Sequence, residues 1–443
     1  MAIKVSFVSL GCPKNLIDTE TMLYKLNEAG MELVADDINA DVIVVNTCAF
    51  IQQAKEEAIE TILDVAWLKK NKSLKGIVVA GCLSERYREQ LFEELPEVDA
   101  VIGTGSYSDV IEAVNAAYKG EKYISLKSPD NSFIDNERVI TTPDYFAYIK
   151  ISEGCDNNCT YCVIPKLRGK FRSRQMSDIV AEVKQLSEIG VKEICLVGQD
   201  TTRYGEDIYG VYAFDSLLNE ISKVDGIDWI RILYCYPDKI TDSLIEEIAT
   251  NEKVIKYIDM PIQHISDNVL RRMNRRGNSA EIKAVIEKLK SKIPDIVLRT
   301  TLIVGFPGET KEDFDLLHEF VKEGHFERLG VFSYSREEDT PAYNFSNQVN
   351  EKTKERRKDI LMREQLRIHN RFNLGFVGKA LKVICEGYDK VSESYFGRCY
   401  ADAPDIDGKI FFSSTKKIKD GTFVDVEITE IFDYDLLGKA III

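Results

Sequence analysis

Three thiols fall within eight residues, Cys155, Cys159 and Cys162, in the run Gly154-Cys-Asp-Asn-Asn-Cys-Thr-Tyr-Cys162. Whatever fold the chain takes, this segment has to wrap one centre, because gaps so short bring neighbouring sulfurs together without stretching the backbone. Cys-x3-Cys-x2-Cys spacing suits three corners of a four-iron cube and leaves the fourth iron open. An open iron can chelate a small ligand and pass it one electron. Structural zinc asks for a fourth Cys or His close by, and none stands next to the triplet.

With 443 residues the chain exceeds the size at which one hydrophobic core keeps growing, so two or three domains are expected. Hydrophobic residues are 44% and charged residues 30%, without a long apolar run, which excludes a membrane span. The opening Met-Ala-Ile-Lys-Val-Ser-Phe-Val-Ser-Leu is too short before Gly11 for a signal peptide and reads as a buried strand. A cytoplasmic location is therefore expected, where ten cysteines are ligands, catalysts or core residues rather than disulfides. Acidic residues outnumber basic ones by 73 to 58, a net charge of -15, so the long-range field repels phosphate backbones and attracts basic partners.

Residues 1–135 alternate short β-branched runs, Val5 to Leu10, Val42 to Asn46 and Ile77 to Ala80, with helical periods over Asp18 to Ala29 and Gln53 to Trp67. That pattern predicts a small doubly wound parallel α/β sheet. Cys12, Cys48 and Cys82 each follow one of the three runs, just past the carboxyl ends of strands, where open α/β sheets bind ligands. Topology thus predicts a second three-cysteine set, each member beside Gly, Asn or Thr. Three separate core cysteines are the alternative.

Over residues 140–345 strand and helix alternate again. The strand candidates are Phe146 to Ile151, Glu193 to Val197, Ile230 to Cys235, Tyr257 to Met260, Val297 to Val304 and Leu329 to Tyr334. Ser177, Thr241 and Thr310 are N-cap candidates, the last with Asp313 in a capping box. Six units predict an open, partial (βα)6 barrel of TIM-like design, with functional residues at the carboxyl ends of its strands. Cys195 and Cys235 lie inside predicted strands and read as core.

Residues 346–371 read as a helical linker whose charges, Lys354, Arg356, Arg357, Lys358, Arg363 and Arg367, form a solvated face. Residues 372–443 hold short alternating runs, Leu381 to Cys385, Ile410 to Ser413 and Thr422 to Ile428, between Gly and Asp turns, which predict a small closed all-β barrel. Cys385 and Cys399 read as its core. This last segment carries nine Lys or Arg against twelve Asp or Glu, where an RNA-binding barrel should be basic.

The cysteine triplet, the three spaced cysteines before it and the terminal barrel together resemble the methylthiotransferases, a radical S-adenosylmethionine (radical SAM) family with an amino-terminal cluster domain, a central partial barrel and a terminal TRAM domain. The resemblance covers essentially the whole chain. Ser9-Leu-Gly-Cys-Pro-Lys-Asn-Leu16 is similar to the branch that modifies an aspartate of small-subunit ribosomal protein number twelve. The tRNA-modifying branch typically carries Gln in place of Pro13. Cys159-Thr-Tyr-Cys-Val-Ile-Pro165 through Arg168-Gly169 is common to both branches.

The resemblance implies two 4Fe-4S clusters, one on Cys155, Cys159 and Cys162 and one on Cys12, Cys48 and Cys82, with S-adenosylmethionine as cofactor. It implies that Tyr161 lies near adenine and that the loop Ile303 to Glu309, with Gly305, Gly308 and Glu309, contacts the cofactor. Gln199 and Gln263 occupy similar strand-end positions, Gln199 for the methionine amino group and Gln263 for the ribose. His264 is the one histidine beside a candidate site. Arg168, Arg172 and Arg174 follow the cluster loop and are candidates for reading a substrate carboxylate. A flavodoxin or ferredoxin is the expected electron donor, and RNA contact is not favoured. A tRNA adenosine methylthiotransferase and a non-catalytic iron-sulfur redox protein are the competing readings.

Overall fold

Val42–Thr47 and Gly76–Gly81 are buried at every position, as strands covered by helices on both faces must be. They are the centre of a six-stranded, all-parallel sheet in the computed structural model, which describes residues 2–131 and 137–441. In chain order its strands are β1 (Lys4–Ser9), β2 (Glu32–Leu33), β3 (Val42–Thr47), β4 (Gly76–Gly81), β5 (Ala100–Ile102) and β6 (Tyr123–Ser125). The spatial order β2-β1-β3-β4-β5-β6 makes the sheet doubly wound, as predicted, and reverses direction between β1 and β3. Ser9 pairs with Asn46 and Asn46 with Ala80, so three strand ends lie in one line. The division expected at residue 135 falls outside the described residues, as do 442–443.

A second sheet of six parallel strands follows, with β7 (Phe146–Lys150), β10 (Glu193–Val197), β11 (Trp229–Ile232), β12 (Val254–Asp259), β13 (Val297–Val304) and β14 (Arg328–Ser333) in sequential spatial order. Its edges β7 and β14 do not pair, which leaves the expected partial barrel open. A short antiparallel pair, β8 (Ser152–Glu153) with β9 (Arg172–Ser173), brackets the cysteine triplet. Thr241 and Thr310 cap their helices, and Thr310 forms the capping box with Asp313. Ser177 does not act as a cap. It lies one residue inside the helix Met176–Glu188, whose first N–H donates instead to the Tyr209 hydroxyl.

The terminal segment closes into a five-stranded barrel of β15 (Ala380–Asp389), β16 (Ser394–Arg398), β17 (Ile410–Ser413), β18 (Phe423–Phe432) and β19 (Asp435–Ala440). β16 and β19 went unread in the sequence because Gly397 and Gly438 interrupt their apolar alternation. One continuous hydrophobic cluster runs from Tyr148, Cys195 and Leu233 inside the open barrel to Val383, Cys385 and Phe412 of the closed one. Cys195, Cys235, Cys385 and Cys399 are all buried, although Cys235 sits past the end of β11, not within it. No described helix is long and apolar enough to cross a membrane.

The charged helix Glu351–Leu374 exposes Arg356, Arg363 and Arg367, as a solvated face would, and corrects that reading at two of its six named charges. Lys354 and Arg357 are buried against the carboxyl end of the open barrel, where Lys354 donates to the Tyr334 carbonyl and Arg357 pairs with Glu309 at 2.8 Å. Their charges face inward because the strand-end loops supply carbonyls and a carboxylate that water would otherwise have to satisfy.

Ion pairs also cross between the barrels. Glu193, fully buried, accepts from Arg231 of β11 and Arg398 of β16, each at 2.7 Å. Burial alone would raise its pKa, but Arg398 and Arg231 outweigh it and hold the carboxyl down at about 2. Because the folded value lies below the unfolded one, near about 4.3, this stabilisation is complete above the unfolded value and is lost as pH falls toward about 2. Glu193→Gln should lower stability by about 3–5 kcal/mol at neutral pH. In chemical denaturation followed across acid pH, the gap between variant and parent should close as pH drops below about 4.

Candidate functional site

Cys12, Cys48 and Cys82 stand at the carboxyl ends of β1, β3 and β4, at the point where the strand order reverses. Side chains that cap the strand ends draw the three loops together. Asn15 donates to the carbonyls of Leu10 and Thr47, tying the first loop to the second. The Thr47 hydroxyl donates to the Ala80 carbonyl and accepts from the Leu83 N–H, tying the second to the third. Gly11 and Gly81 both have φ of +91°, and a Cβ on Gly11 would lie 2.7 Å from that of Cys48. On Gly81 it would meet the Asn46 amide oxygen and the Thr47 carbonyl. Only glycine permits this approach at either position.

Electrostatics distinguishes the three thiols. Burial would raise Cys12, but the Lys14 and Arg168 cations more than offset it and its pKa is lowered. Cys12 also occupies the N-cap of a 16-residue helix, Pro13–Glu28, where the dipole favours thiolate. Burial pushes Cys48 up to about 12 and raises Cys82, the latter partly relieved by Arg168.

The second set lies on the loop between β8 and the helix Ile164–Arg168. Gly154, at φ +75°, passes so close to the Lys170 carbonyl that no Cβ fits, which turns the chain into the loop. The Thr160 N–H donates to the Met273 carbonyl, its hydroxyl to the Arg272 carbonyl, and its own carbonyl accepts from Ala342. The Asn157 amide donates to Asp200 at 2.8 Å. Burial raises Cys155 to about 11 and raises Cys162 further. Cys159 is buried with its sulfur 3.6 Å from the Tyr236 hydroxyl.

Among the described residues no three His, Cys, Asp or Glu side chains close on a single metal ion.

Between the trios lies a buried polar cluster. Arg168, at the end of the helix that begins two residues after Cys162, donates to Asp18 at 2.5 Å, to Glu153 at 3.3 Å and to the Asn15 amide oxygen. Lys150 pairs with the same Asp18 and, at 2.8 Å, with Glu153. Glu153 in turn accepts from Gln199 at 2.8 Å. The expectation that Arg168 and Arg174 are available to a substrate fails here. Both are buried in ion pairs, Arg174 with Glu182, because the carboxylates of the neighbouring domain and helix reach them first. Arg172 is half-buried against Asp130.

The cofactor candidates gather at the ends of β10, β12 and β13. Gln199 and Gln263 each have a buried amide oxygen with no hydrogen-bond partner among the described residues, as does the Ser152 hydroxyl beside Gly198. Gln263 adopts φ +67°, a strained backbone held by bonds to Thr301 and Ile303. Tyr161 packs edge-on against Phe306. Glu309 accepts from the N–H groups of Gly305 and Phe306, the latter at 3.0 Å, and pairs with Arg357, so its carboxylate shapes the loop. The Lys354 stem fills the space beside Gly305, and the Arg272 guanidinium fills that beside Gly308. His264 is buried and its pKa falls to about 3 through desolvation. Orphaned acceptors at the mouth of a barrel fit a ligand rich in N–H and O–H donors, as S-adenosylmethionine is.

Residues 149–321 match the Radical SAM superfamily, residues 4–103 the Uncharacterized protein family UPF0004 and residues 377–441 the TRAM domain. The ribosomal protein uS12 methylthiotransferase RimO of Acetivibrio thermocellus is 48% identical, covering 100% of this chain and 99% of that one. The chain belongs to the RimO family. The RimO of Thermoanaerobacter sp. (strain X514) is 49% identical over 98% of this chain and 99% of its own. Among solved structures, the radical S-adenosylmethionine methyltransferase TsrM from Kitasatospora setae, 14% identical, covers 74% of this chain and 72% of that one at a TM-score of 0.56, a likeness of fold. Membership of the RimO family carries with it S-adenosylmethionine and 4Fe-4S clusters as cofactors.

Asn15, Thr47, Glu153 and Lys150 build the site without having been read from the sequence. Their signal was thin: the Asn and Thr next to the cysteines were visible, but their partners are 30 or more residues away. Iron counted in anaerobically reconstituted protein should be about eight per chain and fall to about four when Cys12, Cys48 and Cys82 are all changed to Ala. An unchanged count would remove the amino-terminal set from cluster binding.

Proposed function

We propose that this chain adds a methylthio group to the β-carbon of an aspartate in small-subunit ribosomal protein number twelve. The observation that carries the reading is full-length identity near one half to RimO proteins, in a chain whose amino-terminal cysteine helix is bonded through Asp18 and Asn15 to Arg168 of the radical SAM domain. When bound, the clusters and S-adenosylmethionine supply the one-electron chemistry, the sulfur and the methyl group that side chains cannot.

The protein's own work is ligation, orientation and exclusion of water. Cys155, Cys159 and Cys162 hold one cluster and Cys12, Cys48 and Cys82 the other. Gln199 takes the methionine ammonium and Gln263 the ribose, each amide oxygen gaining the donor it lacks. Tyr161 lies by the adenine, and Gly305, Gly308 and Glu309 form the loop beneath it, Glu309 by fixing two of its N–H groups. Residues 1–135 form the cluster-holding domain, 140–345 the radical SAM domain, 346–371 a connecting helix and 372–443 the TRAM barrel. Electrons come from a separate flavodoxin or ferredoxin, the reaction is cytoplasmic, and the substrate is met free or on the ribosome.

Charge favours a protein substrate over tRNA. The terminal barrel carries nine Lys or Arg against twelve Asp or Glu, a balance that suits a basic ribosomal protein better than tRNA, although Asp425 and Glu427 of β18 stand opposite the exposed Lys382 and Lys439 of the paired strands.

Reconstituted enzyme given reductant, S-adenosylmethionine and ribosomal protein number twelve should release 5'-deoxyadenosine and leave the protein heavier by one methylthio group replacing one hydrogen. A tRNA substrate should remain unmodified, and the reverse result would transfer the assignment to the tRNA-modifying branch. Gln199→Leu and Gln263→Leu should each weaken S-adenosylmethionine binding by about tenfold, measured by equilibrium dialysis with iron content unchanged.

A further inference from the structure

Ten Lys or Arg side chains are buried among the described residues. Nine of them form an ion pair with a carboxylate: Lys55, Lys150, Arg168, Arg174, Arg231, Arg328, Lys354, Arg357 and Arg398. The tenth, Lys14, is 7% exposed and has no carboxylate in ion-pair range among the described residues. Its ammonium lies instead over the Tyr234 ring, 3.4 Å from the centroid. The ring face attracts the cation, and the Tyr234 hydroxyl and the Cys12 sulfur interact with it, but neither is a carboxylate. Lys14 is set against the Cys12 sulfur, whose thiolate form it favours, and alone among the ten it is left without a carboxylate among the described residues.

Lys14 follows Cys12 by two residues, in the first turn of the helix that the Cys12 N-cap begins. Tyr234 belongs to the other domain, just past the end of β11 at the mouth of the open barrel. Its backbone is held at φ +62°, and its N–H donates to Asp259, itself anchored by Arg299 at 2.9 Å. A non-glycine residue held in the left-handed region by a second layer of charged groups is strain stored to aim a side chain. Leu16 and Ile17, on the next turn of the helix, pack with Tyr148 and Leu233 in the barrel interior. The ammonium therefore sits at the seam between the two cysteine-bearing domains.

We propose that Lys14 reads the target carboxylate: its ammonium pairs with the side-chain carboxylate of the substrate aspartate, and the Tyr234 ring holds it in place beforehand. This deepens the reading above and rests on it. The carbon to be modified is bonded directly to that carboxyl carbon, so a cation at the seam places the β-carbon between the two cysteine sets. Specificity follows from what an uncharged occupant would leave behind. Asparagine or a nucleobase would desolvate the ammonium without neutralising it, so discrimination comes from the penalty as much as from the pair.

The test uses full-length, anaerobically reconstituted enzyme and two fluorescent peptides spanning the target aspartate of ribosomal protein number twelve, one with the aspartate and one with asparagine in its place. Wild-type enzyme should bind the aspartate peptide about tenfold or more tightly than the asparagine peptide. Lys14→Met should lose that preference, binding both as weakly as wild type binds asparagine, with iron content and visible absorption unchanged. Equal affinity of wild type for the two peptides overturns the proposal without any variant having to fold. Loss of iron in Lys14→Met, with the preference retained in the residual holoenzyme, overturns it in favour of a cation that serves the cluster. If wild type neither binds nor modifies either peptide, the substrate assignment itself falls. Retained modification of the protein with an unaltered preference in Lys14→Met would overturn the role of Lys14 alone.

Discussion

Arg168 is where the molecule's two chemical halves are fastened. Its guanidinium, with Lys150, faces Asp18 and Glu153, so two cations and two anions alternate within one buried space. Such a cluster gains little net stability over apolar packing, but losing any one member leaves a charge with nowhere to go. Asp18 comes from the amino-terminal helix while Lys150, Glu153 and Arg168 come from the barrel. Neither side is satisfied until they dock. The network therefore specifies one relative placement of the cysteine trios, and Gln199 extends it to the cofactor candidates.

The same device recurs at the other interfaces. Glu193 pairs with Arg398 between the open and closed barrels, Arg328 with Asp402 beside it, and Arg86 and Lys55 converge on Glu337 from the amino-terminal domain. An open barrel exposes strand edges and an interior that water would enter. Here the closed barrel contributes apolar side chains to that interior, and the buried pairs select its orientation. The three large sheets thus behave as one unit through charges that only the assembled state neutralises.

Local chemistry was legible in the sequence and long-range chemistry was not. Glu193–Val197 and Val297–Val304 begin and end where the β-branched runs do, and the Thr310–Asp313 box caps its helix, because each signal is complete within a few residues. The Glu351–Leu374 helix is legible as a helix with a solvated face at Arg356, Arg363 and Arg367, but not in the burial of Lys354 and Arg357: whether Lys354 faces water depends on the Tyr334 carbonyl and the missing Cβ of Gly305, which no window around the lysine contains. Arg168 was singled out for its position after the cluster loop, yet its partners at Asp18 and Asn15 lie some 150 residues upstream.

The two cysteine trios carry this contrast into function. Cys155, Cys159 and Cys162 are set by spacing alone, so any fold that lets the loop turn at Gly154 can gather them. Cys12, Cys48 and Cys82 are gathered only by the register of three parallel strands. Ser9, Asn46 and Ala80 stand abreast, and the three cysteines follow them by three, two and two residues. A slip of one residue in β3 would move Cys48 away from Gly11 and exchange the side chains packed on the strand's two buried faces, disrupting the apolar contacts of Val42–Val45 along with the site. Burial on both faces of β3 and β4 thus enforces the register, and the register places the sulfurs. Core packing and cluster geometry are in this domain the same constraint, so a core substitution that loosens β3 should be felt at Cys48 before it is felt at Cys155.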